Sequence, residues 1–295
     1  MRLRRSWAAL TTLALVVLLL APAFATAQSG EEEFDPSVEF ELDPYISIEI
    51  GPLDLSINKA VVYLLLAAAI CIGVGIFAVR GGLRERPTRA QNLVEIGYEF
   101  VERQIARPTL PERVYPRYFP YIATLFLFLL VSNLISFIPL PISHESGTFP
   151  FGIPDLGLYA ATANINVTIA LTLVTFIAYN YEGVRAHGVV GYAKTLVPDA
   201  PRVIKPFIAA LEVLSQLLRL VSLSVRLFAN LLAGHLLIIM CAGFVILLGN
   251  FAGIIAIPVG VFFYVFEWVL IAGLQAFIFA MLSGIYIGFA VESSH

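Results

Sequence analysis

The sequence predicts an all-α integral membrane protein of about five spanning helices, the last two long and steeply tilted as a hairpin. Three observations carry this. Apolar residues make up 59% of the chain and charged residues only 13%, against about 25% charged in a soluble domain. The charges are gathered into connections, leaving long runs with few or none. Finally, the two carboxyl-terminal runs each hold some forty residues, about 65 Å of helix against a hydrocarbon core of roughly 30 Å. The net charge of −3 decides nothing by itself. Cys71 and Cys241 both sit inside apolar runs, so they read as buried thiols rather than a disulfide or a metal pair.

At the amino terminus, Arg2, Arg4 and Arg5 precede an apolar stretch over 7–20, then the small-residue patterns Ala23-Phe24-Ala25 and Ala25-Thr26-Ala27. That is the layout of a secretory signal peptide over 1–27; the alternative, an uncleaved anchor helix, is short for a span of roughly 20 residues. Residues 28–58 form an acidic extracytoplasmic tail, in which 30–54 carry Glu31, Glu32, Glu33, Asp35, Glu39, Glu41, Asp43 and Glu49 and no Lys or Arg. Such a segment is expected to be solvated and mobile.

The polytopic membrane domain covers 59–295. Its first span, 60–79, is free of charge and bracketed by Lys59 and Arg80. Arg80, Arg84, Arg86, Arg89, Arg103, Arg107, Arg113 and Arg117 then crowd one connection, which marks it as cytoplasmic. Within it Leu93, Ile96, Gly97, Phe100, Val101 and Gln104 recur near helical spacing, predicting an amphipathic surface helix that lies on lipid or docks a subunit.

The second span, about 118–140, holds Asn133 and ends at the break Pro139-Leu140-Pro141. Residues 142–160 lack Lys and Arg and face outward. Asn164 and Asn166 open a third, shorter span of about 165–178, which returns to a cytoplasmic loop with Arg185, Lys194, Arg202 and Lys205. The last spans, about 203–248 and 254–291, are separated by Gly249-Asn250-Phe251-Ala252-Gly253. No turn residue interrupts the first of them between Phe207 and Ala233, so one helix each is expected. Five spans place the carboxyl terminus in the cytoplasm and the mature amino terminus outside.

The fourth span is the most informative. On a helix of 100° per residue, Glu212, Ser215, Arg219, Ser222 and Asn230 all fall within about 40° of Arg226. Ionisable residues at membrane depth cost roughly 2.5 to 3.5 kcal/mol each, so they face a cavity, a partner or an ion path. Arg219 can snorkel to the cytoplasmic interface; Arg226, a turn or two deeper, cannot. Its guanidinium stays charged at any physiological pH, so it attracts a passing carboxylate and blocks a leak without handing on its own proton. Glu212 lies about 21 Å away along the axis, which points to a partner in another subunit, or else to Glu267 within the chain. His235, on the opposite face nine residues on, and Glu267 lie fifteen and seventeen residues from Asn250. In a hairpin they share one outer cavity, where acid and imidazole can relay protons.

The run Ser222-Leu223-Ser224-Val225-Arg226-Leu227-Phe228-Ala229-Asn230-Leu231-Leu232-Ala233-Gly234-His235, with Leu274-Gln275-Ala276-Phe277-Ile278-Phe279 and Tyr286, resembles subunit a of the F-type ATP synthase membrane sector, the ATPase subunit 6 family. The likeness extends from about Asn58 to Glu292 and includes Asn164-Ile165-Asn166-Val167-Thr168. It implies a stator beside a rotating ring of c subunits, with two offset aqueous half-channels, in a bacterial plasma (inner) membrane.

By position it implies Arg226 as the essential arginine, Asn230 as its neighbour, Glu212 as the acid of the inner exit path and Gln275 as the glutamine of the last helix. His235 stands where some members have Glu, and Glu267 near where others have His. The family's polar residue stands seven positions before the glutamine; here Glu267 stands eight before Gln275. Ser215, Ser222, Asn133, Asn164 and Asn166 are further candidates for channel lining. The implied partners are the c ring, peripheral-stalk b subunits, the remaining synthase subunits and membrane lipid. No nucleic acid, cofactor or metal is expected, and the chain has no G-x-x-x-x-G-K-[ST] loop for a nucleotide. The ring's own site decides between proton and sodium. The competing class, a self-contained cation-coupled transporter, lacks the expected repeat of one half in the other.

Overall fold

Among the described residues, five helical stretches are long and apolar enough to cross a membrane: Lys59–Phe77, Tyr115–Ile135, Ile165–Thr195, Lys205–Phe244 and Ile257–Glu292. They belong to a computed structural model that describes residues 42, 46–50, 53–54, 56–80, 88–138, 159–195, 201, 204–248 and 251–292. The signal peptide expected over 1–27, most of the acidic tail, Arg84 and Arg86, the Pro139-Leu140-Pro141 break and the Gly249-Asn250 turn lie outside the described residues. The helices are α1 (Lys59–Arg80), α2 (Arg89–Phe100), α3 (Tyr115–Ile135), α4 (Ile165–Thr195), α5 (Lys205–Leu248), α6 (Phe251–Phe266) and α7 (Ala272–Glu292). Two π-helical turns, Val101–Ala106 after α2 and Glu267–Ile271 between α6 and α7, complete the order with short helical turns. The 44 residues of α5 make a rod of about 66 Å, which fits a core of roughly 30 Å only at a steep tilt or by projecting beyond it.

The chain divides into two compact units, one of Met1–Leu66, Ser132–Ala161 and Asn230–Ala272, the other of Ala67–Val131, Thr162–Ala229 and Gly273–His295. In the first, β1 (Glu49–Ile50) and β2 (Leu53–Asp54) pair antiparallel, extended by a bridge between Ile46 and Ile57. The end of the segment expected to be solvated and mobile thus pairs with itself. Ile46, Ile48, Ile50 and then Leu53, Leu55, Ile57 alternate with polar or acidic residues on either side of Gly51-Pro52, the period and turn chemistry of a hairpin. In the same unit α5 and α6 run antiparallel. Gly260 abuts Cys241 and, farther from the connection, Gly234 abuts Glu267, so the residue numbers rise on one helix as they fall on the other. Phe137, Ile238, Tyr264 and Ala272 form the local core.

The second unit has the larger core, with Val101, Ile105, Ile122, Leu129, Leu223, Leu227, Phe279 and Ile287 all buried. Here the amphipathic segment divides in two. Leu93 and Ile96 of α2 are 74% and 60% exposed, while Phe100 meets Phe126 and Phe277 and the following π turn is buried at Val101, Ile105 and Ala106. That turn sets Glu102 and Arg107, five apart, in contact at 2.7 Å, and the hydrogen-bonded guanidinium holds the Glu102 carboxyl below its ordinary range. Gly284 and Gly288 of α7 have Thr109 directly against them, leaving no room for a Cβ. The segment is thus docked on its own chain from Phe100 onward.

Helix α4 departs from the expected end near 178. It continues to His187 and kinks at Gly188, whose φ of 73° is the left-handed region that glycine alone enters freely. The chain then folds back, so that Tyr192 covers Gly183 and donates to Asn180 Oδ1 at 3.0 Å. Asn180 and Glu182, polar residues just beyond 178, are both satisfied inside the fold, Glu182 by the Tyr118 hydroxyl at 2.9 Å, with Arg185 at 3.5 Å and Arg117 at 3.9 Å.

Candidate functional site

The first unit buries an acid and an imidazole together. His235 on α5 is 4% exposed and Glu267, the first residue of the second π turn, 3%. Nδ1 of His235 lies 3.3 Å from Glu267 Oε1 and 3.1 Å from the Leu231 carbonyl. Nε2 lies 3.4 Å from the Ser136 carbonyl. All three neighbours are acceptors, whereas a neutral imidazole has one N–H to give. Glu267 Oε2 has no partner among the described residues. The pair therefore has hydrogen-bonding capacity for one more proton than a neutral histidine beside an ionised carboxylate would supply.

Three features hold this geometry. The Phe137 ring packs 4.8 Å from the imidazole. Asn133, fully buried, donates to the Ala272 carbonyl at 3.1 Å, tying the end of α3 to the π turn. Gly234 leaves the space that the Glu267 carboxylate occupies. The π turn also accounts for the eight-residue spacing between Glu267 and Gln275. Its i→i+5 closure takes up one extra residue, so eight positions through it turn the backbone about as far as seven in uninterrupted α-helix.

Gly234→Ala tests that space. Alanine favours helix over glycine by roughly 0.5 to 1 kcal/mol, so folding should be kept, while its Cβ displaces the carboxylate from His235. Any activity that depends on the His235–Glu267 contact should fall about tenfold or more, as coupled neighbours do when one is moved. Gly273→Ala, where a Cβ meets nothing within 4 Å, should be silent. Equal activity in the two variants would contradict the placement.

Arg226 stands differently. It is exposed on α5, and among the described residues it makes no hydrogen bond or ion pair. Ser222 and Asn230, one turn to either side, are exposed as well, and so are the apolar Val221 and Val225. The Glu267 partner considered for it from sequence is engaged with His235 instead.

The second unit gathers the amino-terminal part of the polar stripe. Glu212 Oε1 accepts from Gln216 Nε2 at 3.2 Å and lies 4.0 Å from Arg219 Nη2. The Arg219 guanidinium sits 5.7 Å over the Tyr286 ring, so it is held within the fold, where sequence alone allowed it to snorkel away. Ser215 is half-buried beside them. Gln275, 4% exposed on α7, is buried in this unit. Asn164 caps α4 by accepting from the Asn166 amide at 2.8 Å, and Asn166 itself is exposed. The cap explains Asn164 without any channel role. Sequence reasoning passed over Tyr179, Gln216, Gly234 and Phe137. Only Gln216, one helical turn from Glu212, carried a signal, since the other three depend on tertiary contacts.

Long apolar helices with a buried acid–imidazole pair and a guanidinium that has no partner among the described residues define a polytopic membrane protein organised around intramembrane ionisable groups. The profile of the family described as ATP synthase A chain matches residues 61–288. The chain is similar to ATP synthase subunit a of Rubrobacter xylanophilus, 37% identical over 257 residues, covering 85% of this chain and 91% of that one. It is also similar to ATP synthase subunit a of Brucella ovis, 32% identical over 268 residues, 88% of this chain and 99% of that one. The chain belongs to the ATP synthase subunit a family.

Proposed function

We propose that the chain is the ion-conducting stator of an F-type ATP synthase membrane sector in a bacterial plasma membrane, carrying protons to and from a rotating ring of c subunits through two aqueous half-channels. The observation that carries this reading is Arg226. A permanent cation among exposed valines costs several kcal/mol in lipid unless something outside the chain neutralises it, and a carboxylate on each passing ring subunit does so one at a time. His235 and Glu267, whose neighbours leave hydrogen-bonding room for a further proton, take protons from the outer side. Glu212, with Gln216 and Arg219, receives them on the cytoplasmic side. Asn230, Gln275, Ser215 and Ser222 accompany these paths. The chain itself binds no nucleotide and works with the ring, the peripheral-stalk b subunits and lipid. The amino-terminal segment 1–27 is read as a cleaved signal, with the mature amino terminus outside and the carboxyl terminus in the cytoplasm.

Reconstitution into liposomes tests this against a self-contained transporter. The chain alone should conduct no protons under a membrane potential, and addition of its ring should restore conduction. Proton flux through the chain by itself would overturn the stator reading.

Sidedness gives a second test. Cysteines in place of Glu212 and Ser215 should react with charged thiol reagents from the cytoplasmic side, and those in place of His235 and Glu267 from the outer side. Equal reactivity of all four from one side would contradict two offset half-channels.

A further inference from the structure

A chain of polar contacts in the second unit ends on Glu212. Tyr179, mid-way along α4 and 3% exposed, donates its hydroxyl to Gln216 Oε1 at 2.7 Å. With its oxygen committed to the phenol, the amide must present its NH2 in the other direction, where it donates to Glu212 Oε1 at 3.2 Å. A flipped amide would set its carbonyl against the carboxylate and lose that bond. The only cation beside Glu212 in these contacts, Arg219 at 4.0 Å, also addresses Oε1 and is steadied by the Tyr286 ring. The carboxylate side chain is 29% exposed, so it meets water while one oxygen is fixed.

We infer that Tyr179 and Gln216 are positioning residues for Glu212, clamping Oε1 so that Oε2 is presented in one orientation to each proton leaving toward the cytoplasm. The inference deepens the proposed function and rests on Glu212 acting in the exit path. Neither residue carries the proton. An amide has none to give at physiological pH, and the phenol's proton is spent on the amide. Their contribution is to spare Glu212 a search among orientations, as a preorganised group does.

The test uses the whole assembled complex in inverted vesicles, reading ATP-driven proton pumping with assembly and ATP hydrolysis measured separately. Tyr179→Phe and Gln216→Met should each slow pumping about three- to tenfold, the size of one lost hydrogen bond. Combined, they should be no slower than Gln216→Met, and in a Glu212→Gln background neither should have any further effect. The infrared carboxylate band of Glu212, identified by its disappearance in Glu212→Gln, should broaden in both single variants. Losses of the same size in the Glu212→Gln background, or an unchanged band, would overturn the positioning role and leave Glu212 in its path. Normal pumping by Glu212→Gln would remove Glu212 from the path, and this inference with it.

Discussion

An assembled complex carrying Arg226→Ala should synthesise no measurable ATP from a proton gradient. The substitution removes the only charge on an exposed, apolar stretch of α5 and touches no contact among the described residues, so folding and assembly should be kept or slightly improved. On the proposed function, what it removes is the cation that a ring carboxylate would meet in low dielectric. Losing one partner of such a pair costs roughly 3 to 5 kcal/mol, or at least about a hundredfold in rate. Arg226→Lys should fail almost as badly. An ammonium cannot fork onto a carboxylate and, unlike a guanidinium, gives up its proton when desolvated. Proton leak should rise in both variants, measured as the decay of a preset pH difference. Normal synthesis by an assembled Arg226→Ala complex would sink this account of the residue.

The second large effect should come from the buried pair. His235→Ala and Glu267→Ala should each slow proton uptake by about tenfold to a hundredfold, within the range of a positioned acid or base. The double variant should be little slower than the worse single one, because in the proposed relay each residue's proton is useful only while the other is 3.3 Å away. Exchange of the two, His235→Glu with Glu267→His, should restore part of the rate. Restoration is partial for a structural reason. A carboxylate at position 235 would face the Leu231 and Ser136 carbonyls that now surround the imidazole, and must keep a proton to satisfy them. Pumping in inverted vesicles over a range of pH measures all four forms. Additive losses without rescue would assign the residues to separate sites.

Much of this was legible in the sequence for identifiable reasons. Spans bracketed by charge, such as the run between Lys59 and Arg80, announce themselves because lipid admits few ionisable residues. The stripe through Arg226 is legible because helical geometry is rigid. The hairpin that joins His235 to Glu267 follows from their near-equal distance to Gly249-Asn250. Legibility fails where a polar residue is satisfied by tertiary structure. Asn180 and Glu182 end an apolar run on paper, yet in the fold Tyr192 and Tyr118 answer them and α4 continues past both. The π turn at Glu267 left a trace only as an eight-residue spacing, and nothing local says that the backbone would absorb it. Tyr179, just past the expected end of the third span, carries no local signal, since its contact is with Gln216, thirty-seven residues away.

The claim that Arg226 serves a neighbour's carboxylate is tested most directly by asking what lies against its face. A photoreactive group attached through Ser222→Cys, one turn from Arg226 on the exposed side, can be activated in native membranes and its adducts weighed. The account predicts one dominant protein adduct, to a small ring subunit, at a residue within a helical turn or two of an intramembrane carboxylate. Adducts to lipid alone, in a complex shown to be fully assembled, would mean that nothing rotates past this arginine and would contradict the account.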